Sequence, residues 1–279
     1  MPEKEKRTSV SRFVDRLKRG IGRSLRADSA AKAMRAELRN QRAYGSFRQE
    51  FDRFRTLSHE KDGRFPTEWD DRFPCLGEAT VDMGFDRHYI FHTAWAARIL
   101  ADTRPLVHKD ISSSLYFSAI ASAFVPVEYY EYRAVPIDLT GLTSHAATLT
   151  DLPFDDRSVA SLSCMHAIEH VGIGRYGDPI DPTGDLKALT ELQRVLSPGG
   201  NLLIVVPVGR PRVCFNAHRI YSHAQVVEAV PELELEQFAL IPDRAETGDL
   251  MVNPPVDLVD QQEYGCGCFW FTRPDQANV

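Results

Sequence analysis

The stretch Leu152–His170, LPFDDRSVASLSCMHAIEH, and its continuation Glu191–Pro207, ELQRVLSPGGNLLIVVP, decide the fold. Ser158–Cys164 reads as a strand, and Leu152-Pro153-Phe154 closes the loop that leads into it. Glu169-His170 then falls at the carboxyl edge of the sheet that this strand enters. Gly184–Leu196 is spaced as a helix, and Pro198-Gly199-Gly200 stops it. Glycine tolerates a positive φ, so the chain can turn there into Asn201–Val206, an apolar run that reads as a buried strand.

Working outward, the same alternation continues in both directions. Leu106–Ile111 and Val127–Tyr132 read as strands on either side of a helix, Leu115–Phe124. Ile90–Leu100 is a helix ahead of them, with Phe91 and Trp95 as bulky packing groups. Downstream come a helix over Ser222–Val230 and closing strands at Leu233–Leu240 and Cys268–Thr272. Strands alternating with helices imply an α/β fold, a mostly parallel sheet with helices on both faces. Such sheets bind ligands at the carboxyl ends of their strands, where the strand order reverses.

The N-terminal region differs in character. Residues 1–60 carry a net charge of about +8, so the rest carries about −14. This predicts a basic, helical or partly disordered arm over 1–60, a lead-in loop and helix over 61–103, and the α/β domain over 104–279. Within the arm, Val10, Phe13, Val14, Leu17, Ile21 and Leu25 recur at helical spacing among arginines and lysines, while Gly20 and Gly22 weaken the helix. The pattern suits either a solvated arm or one lying on an anionic membrane. Ala30–Phe54 reads as a second, arginine-rich helix. The acidic main domain is not expected to hold nucleic acid.

Five scattered cysteines, no secretory h-region and no run of about 18 apolar residues point to a soluble, cytoplasmic chain with free thiols. No metal is expected. In His166-Ala167-Ile168-Glu169-His170 the acid stands beside the second histidine, unlike a zinc helix. Cys266-Gly267-Cys268 reads as small residues in a closing strand. The missing Gly-x-Gly-x-x-Gly disfavours a nicotinamide cofactor.

The ordered set Leu-Pro-Phe, Glu-His and Arg-Val-Leu-Ser-Pro-Gly-Gly resembles the central half of the class I S-adenosylmethionine-dependent methyltransferases. A nearer resemblance is to an uncharacterised family of methyltransferase-like domains, number two hundred and sixty-eight in the domain-of-unknown-function series. Its features are Asp86-Arg87-His88-Tyr89, Asp110–Phe117, Gly174–Pro182 and Asn216-Ala217-His218-Arg219, a resemblance reaching roughly from Arg72 to Pro274. It implies a Rossmann-like methyltransferase sheet, to which the N-terminal helical extension read above is added, and S-adenosylmethionine as cofactor.

The resemblance puts Asp110, Ser112 and Ser114 at the methionine end of the cofactor, Glu131 on the ribose hydroxyls, and Leu152, Phe154 and Met165 against the adenine. Ser112 stands where the family carries its first glycine. Thr148 and Ala160 stand where acids are common. In the loop Gly172–Gly184, Arg175, Tyr176, Asp178 and Asp181, with Arg219, are placed toward a small-molecule or saccharide-type acceptor. His170 or His218 is the candidate base. The alternative is a relative that keeps the fold without productive cofactor binding and acts as a binding or scaffold module, its basic arm on an anionic membrane or nucleic acid.

Overall fold

The computed structural model describes residues 34, 37, 38, 40–61, 63–81 and 83–275. They form two compact units that divide between Gly84 and Phe85. In the first, a helix over residues 40–61 (α1) precedes a single 3-10 turn, Trp69–Asp71. The Trp69 ring meets Phe51 edge-on at 4.9 Å, and the guanidinium of Arg72 stacks on it at 4.5 Å. The helix outruns the expected Phe54 because no breaker intervenes before Gly63. The amphipathic Val10–Leu25 segment lies outside the described residues.

The second unit is the α/β body. Helix α2 (Arg87–Thr103) begins where the Asp86 side chain accepts a hydrogen bond from Tyr89 N, 3.2 Å away, and ends at Arg104, whose left-handed backbone precedes Pro105. Then follow β1 (His108–Ile111), α3 (Leu115–Ala121), β2 (Val127–Glu131), β3 (Leu142–Ala146) and β4 (Val159–Met165). Beyond the long loop come α4 (Gly184–Val195), β5 (Leu196–Val208) and a hairpin of β6 (Arg212–Cys214) and β7 (His218–Ile220). The chain closes with α5 (His223–Glu228), β8 (Glu234–Ile241), β9 (Met251–Val252), α6 (Val256–Asp260) and β10 (Gly265–Thr272).

Eight strands form one sheet in the order β3-β2-β1-β4-β5-β10-β8-β9. The first five are mutually parallel. β10 inserts antiparallel between β5 and β8. This is the expected Rossmann-like α/β sheet, mostly parallel and covered on both faces. Side chains alternate across a strand, so Leu202, Ile204 and Val206 of β5 enter one core with α4, α5 and α6. Leu203 and Val205 enter the other with α2 and α3. Burial of both faces is why β5 reads as an unbroken apolar run.

Three elements differ from expectation for identifiable reasons. β5 starts at Leu196 because Ser197–Gly200 forms a bulge: Leu196 pairs with Val159 and Asn201 with Ser161, while Gly199 sits at φ +68°. β3, Leu-Thr-Ser-His-Ala, is an edge strand with one buried residue and no apolar alternation to signal it. β10 starts at Gly265, three residues before Cys268, and a Cβ on Gly267 would come within 2.5 Å of Val208. Among the described residues no helix is long and apolar enough to cross a membrane.

β1 carries a buried polar chain. His108 Nδ1 lies 2.8 Å from Ser161 Oγ and its Nε2 2.9 Å from Ser163 Oγ. Ser163 Oγ donates to Asp110 Oδ1 at 2.7 Å, and Ser118 Oγ donates to Asp110 Oδ2. Burial pushes the Asp110 carboxyl up to about 6 and the His108 imidazole down to about 3. These hydroxyls tie β1, β4 and α3 together just below the crevice.

Candidate functional site

Strand order reverses between β1 and β4, and the loops beyond their carboxyl ends converge on a cavity of about 400 Å³. Its wall is made by Ser112 after β1, Glu131 at the end of β2, Thr148 after β3, and His166, His170 and Tyr176 after β4. A second cavity, of about 490 Å³, shares His166, His170 and Tyr176 with the first and is lined further by His88, Arg175 and His218. The two adjoin across those three residues.

Ser112 holds φ at +56°, with its N–H donating to Tyr130 O at 2.7 Å. The position demands the left-handed backbone that glycine adopts freely, and serine adopts it at a cost. Beside it, Ser113 Oγ accepts from Met165 N at 2.9 Å and fixes the loop to β4. Ser112→Gly should leave the fold at least as stable. Ser112→Val should cost about 2 kcal/mol in urea denaturation, because a β-branched residue resists this φ most.

Glu131 is half-buried. Its Oε1 accepts from Tyr132 N at 2.9 Å and its Oε2 from Tyr129 O–H at 3.4 Å. A carboxylate offers about four lone-pair sites, so acceptor capacity remains toward the cavity. Thr148 Oγ1 is 3.2 Å from Thr150 Oγ1.

Other residues assigned from the resemblance stand elsewhere. Asp110 is fully buried behind the loop with both oxygens taken by serines. Ser114 is the first residue before α3 and does not line the cavity. Leu152 and Met165 belong to the two cores, 3% and 1% exposed. Phe154 packs edge-on against Tyr130 with Lys109 Nζ 5.0 Å from its ring centre. Apolar spacing announced that these side chains are buried without saying against what.

In the loop after β4, Gly172 and Gly174 adopt φ of +79° and +72°. The Asp178 carboxylate accepts from Gly172 N at 2.7 Å, and also from Tyr176 N and Gly174 N. Burial alone would raise this carboxyl, but the amides outweigh it and hold it below its usual range. Lys187 and Thr183 hold Asp181 at about 2. Both acids line the cavity while serving first to fold the loop.

Arg219 is a clamp rather than an acceptor contact. Its side chain is 8% exposed, Nη1 donates to Val171 O at 2.6 Å, and Nε lies 3.5 Å from Asp185 Oδ2. It lines neither cavity. Arg219→Ala should lower the free energy of unfolding by about 3–5 kcal/mol, since Asp185 would be left a buried, unpaired charge; thermal denaturation checks this.

Histidines line both cavities. His170 Nδ1 lies 2.7 Å from Ala217 O. A carbonyl only accepts, so Nδ1 carries the proton and Nε2 presents a lone pair. Burial holds His170 below its ordinary pKa against the opposing Glu169 carboxylate, 3.9 Å from Nε2, and the Ala217 carbonyl; Arg175, with Nη1 3.4 Å from Nε2, adds to the lowering. His218, 4.9 Å from the Tyr264 ring, is also lowered by burial, but lines only the second cavity. Glu169, at the sheet edge that the sequence marked, is 1% exposed; its Oε1 accepts from His166 Nδ1 at 2.9 Å, and its Oε2 has no partner among the described residues. His88, Tyr89 and Tyr264 also face the second cavity, and for the first two the signal was the quoted Asp86–Tyr89 motif.

Residues 131–234 match the family described as "Caenorhabditis protein of unknown function, DUF268", which bears out the resemblance over a shorter span than Arg72–Pro274. No curated protein matches the chain. Among solved structures the chain is similar to the N-methyltransferase NodS of Bradyrhizobium japonicum in complex with S-adenosyl-L-homocysteine. Identity is 12%, 68% of this chain and 88% of that one are covered, and the TM-score is 0.47. It is similar also to the geranyl diphosphate C-methyltransferase of Streptomyces coelicolor (13%, 64% and 79%, 0.45). A third is the [4+2]-cyclase SpnF (12%, 64% and 81%, 0.45). At these identities the likeness concerns the fold alone.

Proposed function

We propose that the chain is an S-adenosylmethionine-dependent methyltransferase whose acceptor is a small molecule, of saccharide type or otherwise rich in hydroxyls. The observation that carries this reading is the meeting of Glu131, Ser112 and Thr148 in one cavity at the strand-order reversal, with a histidine-lined cavity opening off it. The residues fit the cofactor: Glu131 keeps lone pairs for two ribose hydroxyls, and the Ser112 backbone already adopts the conformation of a glycine at that position. Thr148 and Leu149 line the place for an adenine, with a hydroxyl where an acid is common.

The bound cofactor supplies an electrophilic methyl group; the protein supplies position and proton transfer. His170 lines both cavities, and its Nε2, beside Arg175 Nη1, would take the proton of an acceptor hydroxyl or amine. Tyr89, Tyr176 and Tyr264, with Arg175 and His218, give the second cavity the aromatic and polar mixture that suits a hydroxyl-bearing ligand. Arg175 is held over the Tyr176 ring and donates to Ala217 O at 3.0 Å, which fixes the wall of that cavity.

The test is label transfer. With methyl-labelled S-adenosylmethionine and a small-molecule extract, label should pass to a low-molecular-weight product. Label reaching no extract component, with cofactor binding absent, would favour the scaffold alternative and overturn this reading.

A further inference from the structure

We propose that His88, His166 and Cys266 bind a zinc ion. The three residues come from the first turn of α2, the turn after β4, and β10, far apart in sequence. One ligand atom from each lies within 4.8 Å of the others. Cys266 Sγ is 3.5 Å from His166 Nε2. Zinc bonds of about 2.0–2.3 Å in a tetrahedral site separate neighbouring ligand atoms by about 3.5 Å, so this pair already stands at the required spacing.

The surroundings are those of a metal ligand. His166 Nδ1 donates to Glu169 Oε1 at 2.9 Å, which fixes the tautomer and leaves Nε2 toward Cys266. A buried carboxylate behind a ligating histidine is the usual second partner at zinc centres. Glu169 is 1% exposed; its Oε1 also lies 3.9 Å from His170 Nε2, while its Oε2 meets no donor among the described residues. His166 is held at φ +57°, a backbone state that needs support from its surroundings. The His88 ring lies parallel to His166 with centroids 5.9 Å apart.

Cys266 is a free, buried thiol, and the form that ligates zinc is the thiolate. Zinc binding therefore forms a zinc–thiolate bond, breaks the S–H bond and releases one proton to solvent. Three protein ligands leave a fourth position, the pattern of a site that takes water or substrate. His88 and His166 line the second cavity, so an oxygen of a ligand lodged there can reach the ion beside Arg175 and His218. The site stands whether or not the first cavity takes S-adenosylmethionine.

Cobalt reports the site without any catalytic assay. The full chain, stripped with chelator and titrated with Co²⁺, should bind roughly one ion and develop a thiolate-to-cobalt charge-transfer band that zinc abolishes. Cys266→Ser should lose the band, whereas Cys75→Ser, altering an exposed thiol, should keep it. His88→Ala, altering a residue on the cavity wall, should weaken cobalt binding by about 100-fold. A wild-type chain without the band, a band that survives Cys266→Ser, or an unchanged affinity in His88→Ala would overturn the assignment.

Discussion

Glu131→Ala is expected to weaken binding of S-adenosylhomocysteine by about 100-fold, with the fold intact. The carboxylate stands at the end of β2, on the cavity wall, and its two recorded hydrogen bonds leave lone pairs for a ribose. Hydrogen bonds to a charged group contribute about 1.5–3 kcal/mol each, so losing a pair costs about 3 kcal/mol or more. Equilibrium dialysis against labelled ligand measures it, with circular dichroism to show retained structure. Glu131→Gln should fall between, since it keeps one acceptor and loses the charge. Tyr129 also loses an acceptor for its hydroxyl in the alanine variant, but still donates to Ser113 O at 3.1 Å.

The second large effect concerns His170. His170→Ala should lower kcat by about 10²–10⁴-fold while leaving cofactor affinity within about 3-fold. The pH profile carries the sign. A base must be unprotonated, and burial holds His170 below its ordinary pKa of 6.5. Wild-type kcat should therefore be at its plateau at neutral pH and fall only as pH drops below about 6.5. That acid limb should vanish in His170→Ala. If it persists there and disappears instead in His218→Ala, the proton is taken by His218, which lines the second cavity alone.

Much of this architecture is legible in the chain because its central strands are buried on both faces. Such strands read as apolar runs, and the helices between them as periodic ones, so β4, α4 and β5 stand out. β3 does not, since an edge strand with one buried residue carries no such pattern. Its neighbour Glu131 is legible for a different reason: the resemblance places an acid at the end of the second strand, and Glu131 ends β2. The apolar assignments fared otherwise. Leu152, Phe154 and Met165 sit in or against cores, because hydrophobic spacing marks burial and not the neighbour that buries. Arg219 reads as a free cation until its buried carbonyl partners are visible. Cys266 reads as a strand filler, and only the folded sheet brings it to His166, a hundred residues away.

Ser112 shows how a departure from a motif is to be weighed. Substitution of serine for glycine suggests a closed or altered loop, yet the backbone keeps the left-handed turn. The cost falls on stability, and the approach to the cavity is preserved.

The cavity bounded by Ser112, Glu131 and Thr148 is the proposed seat of S-adenosylmethionine. Isothermal titration calorimetry of the wild-type chain with S-adenosylmethionine and with S-adenosylhomocysteine tests it most directly. One site with a dissociation constant of about 1–100 μM is expected for both ligands. No heat of binding up to millimolar ligand would contradict it.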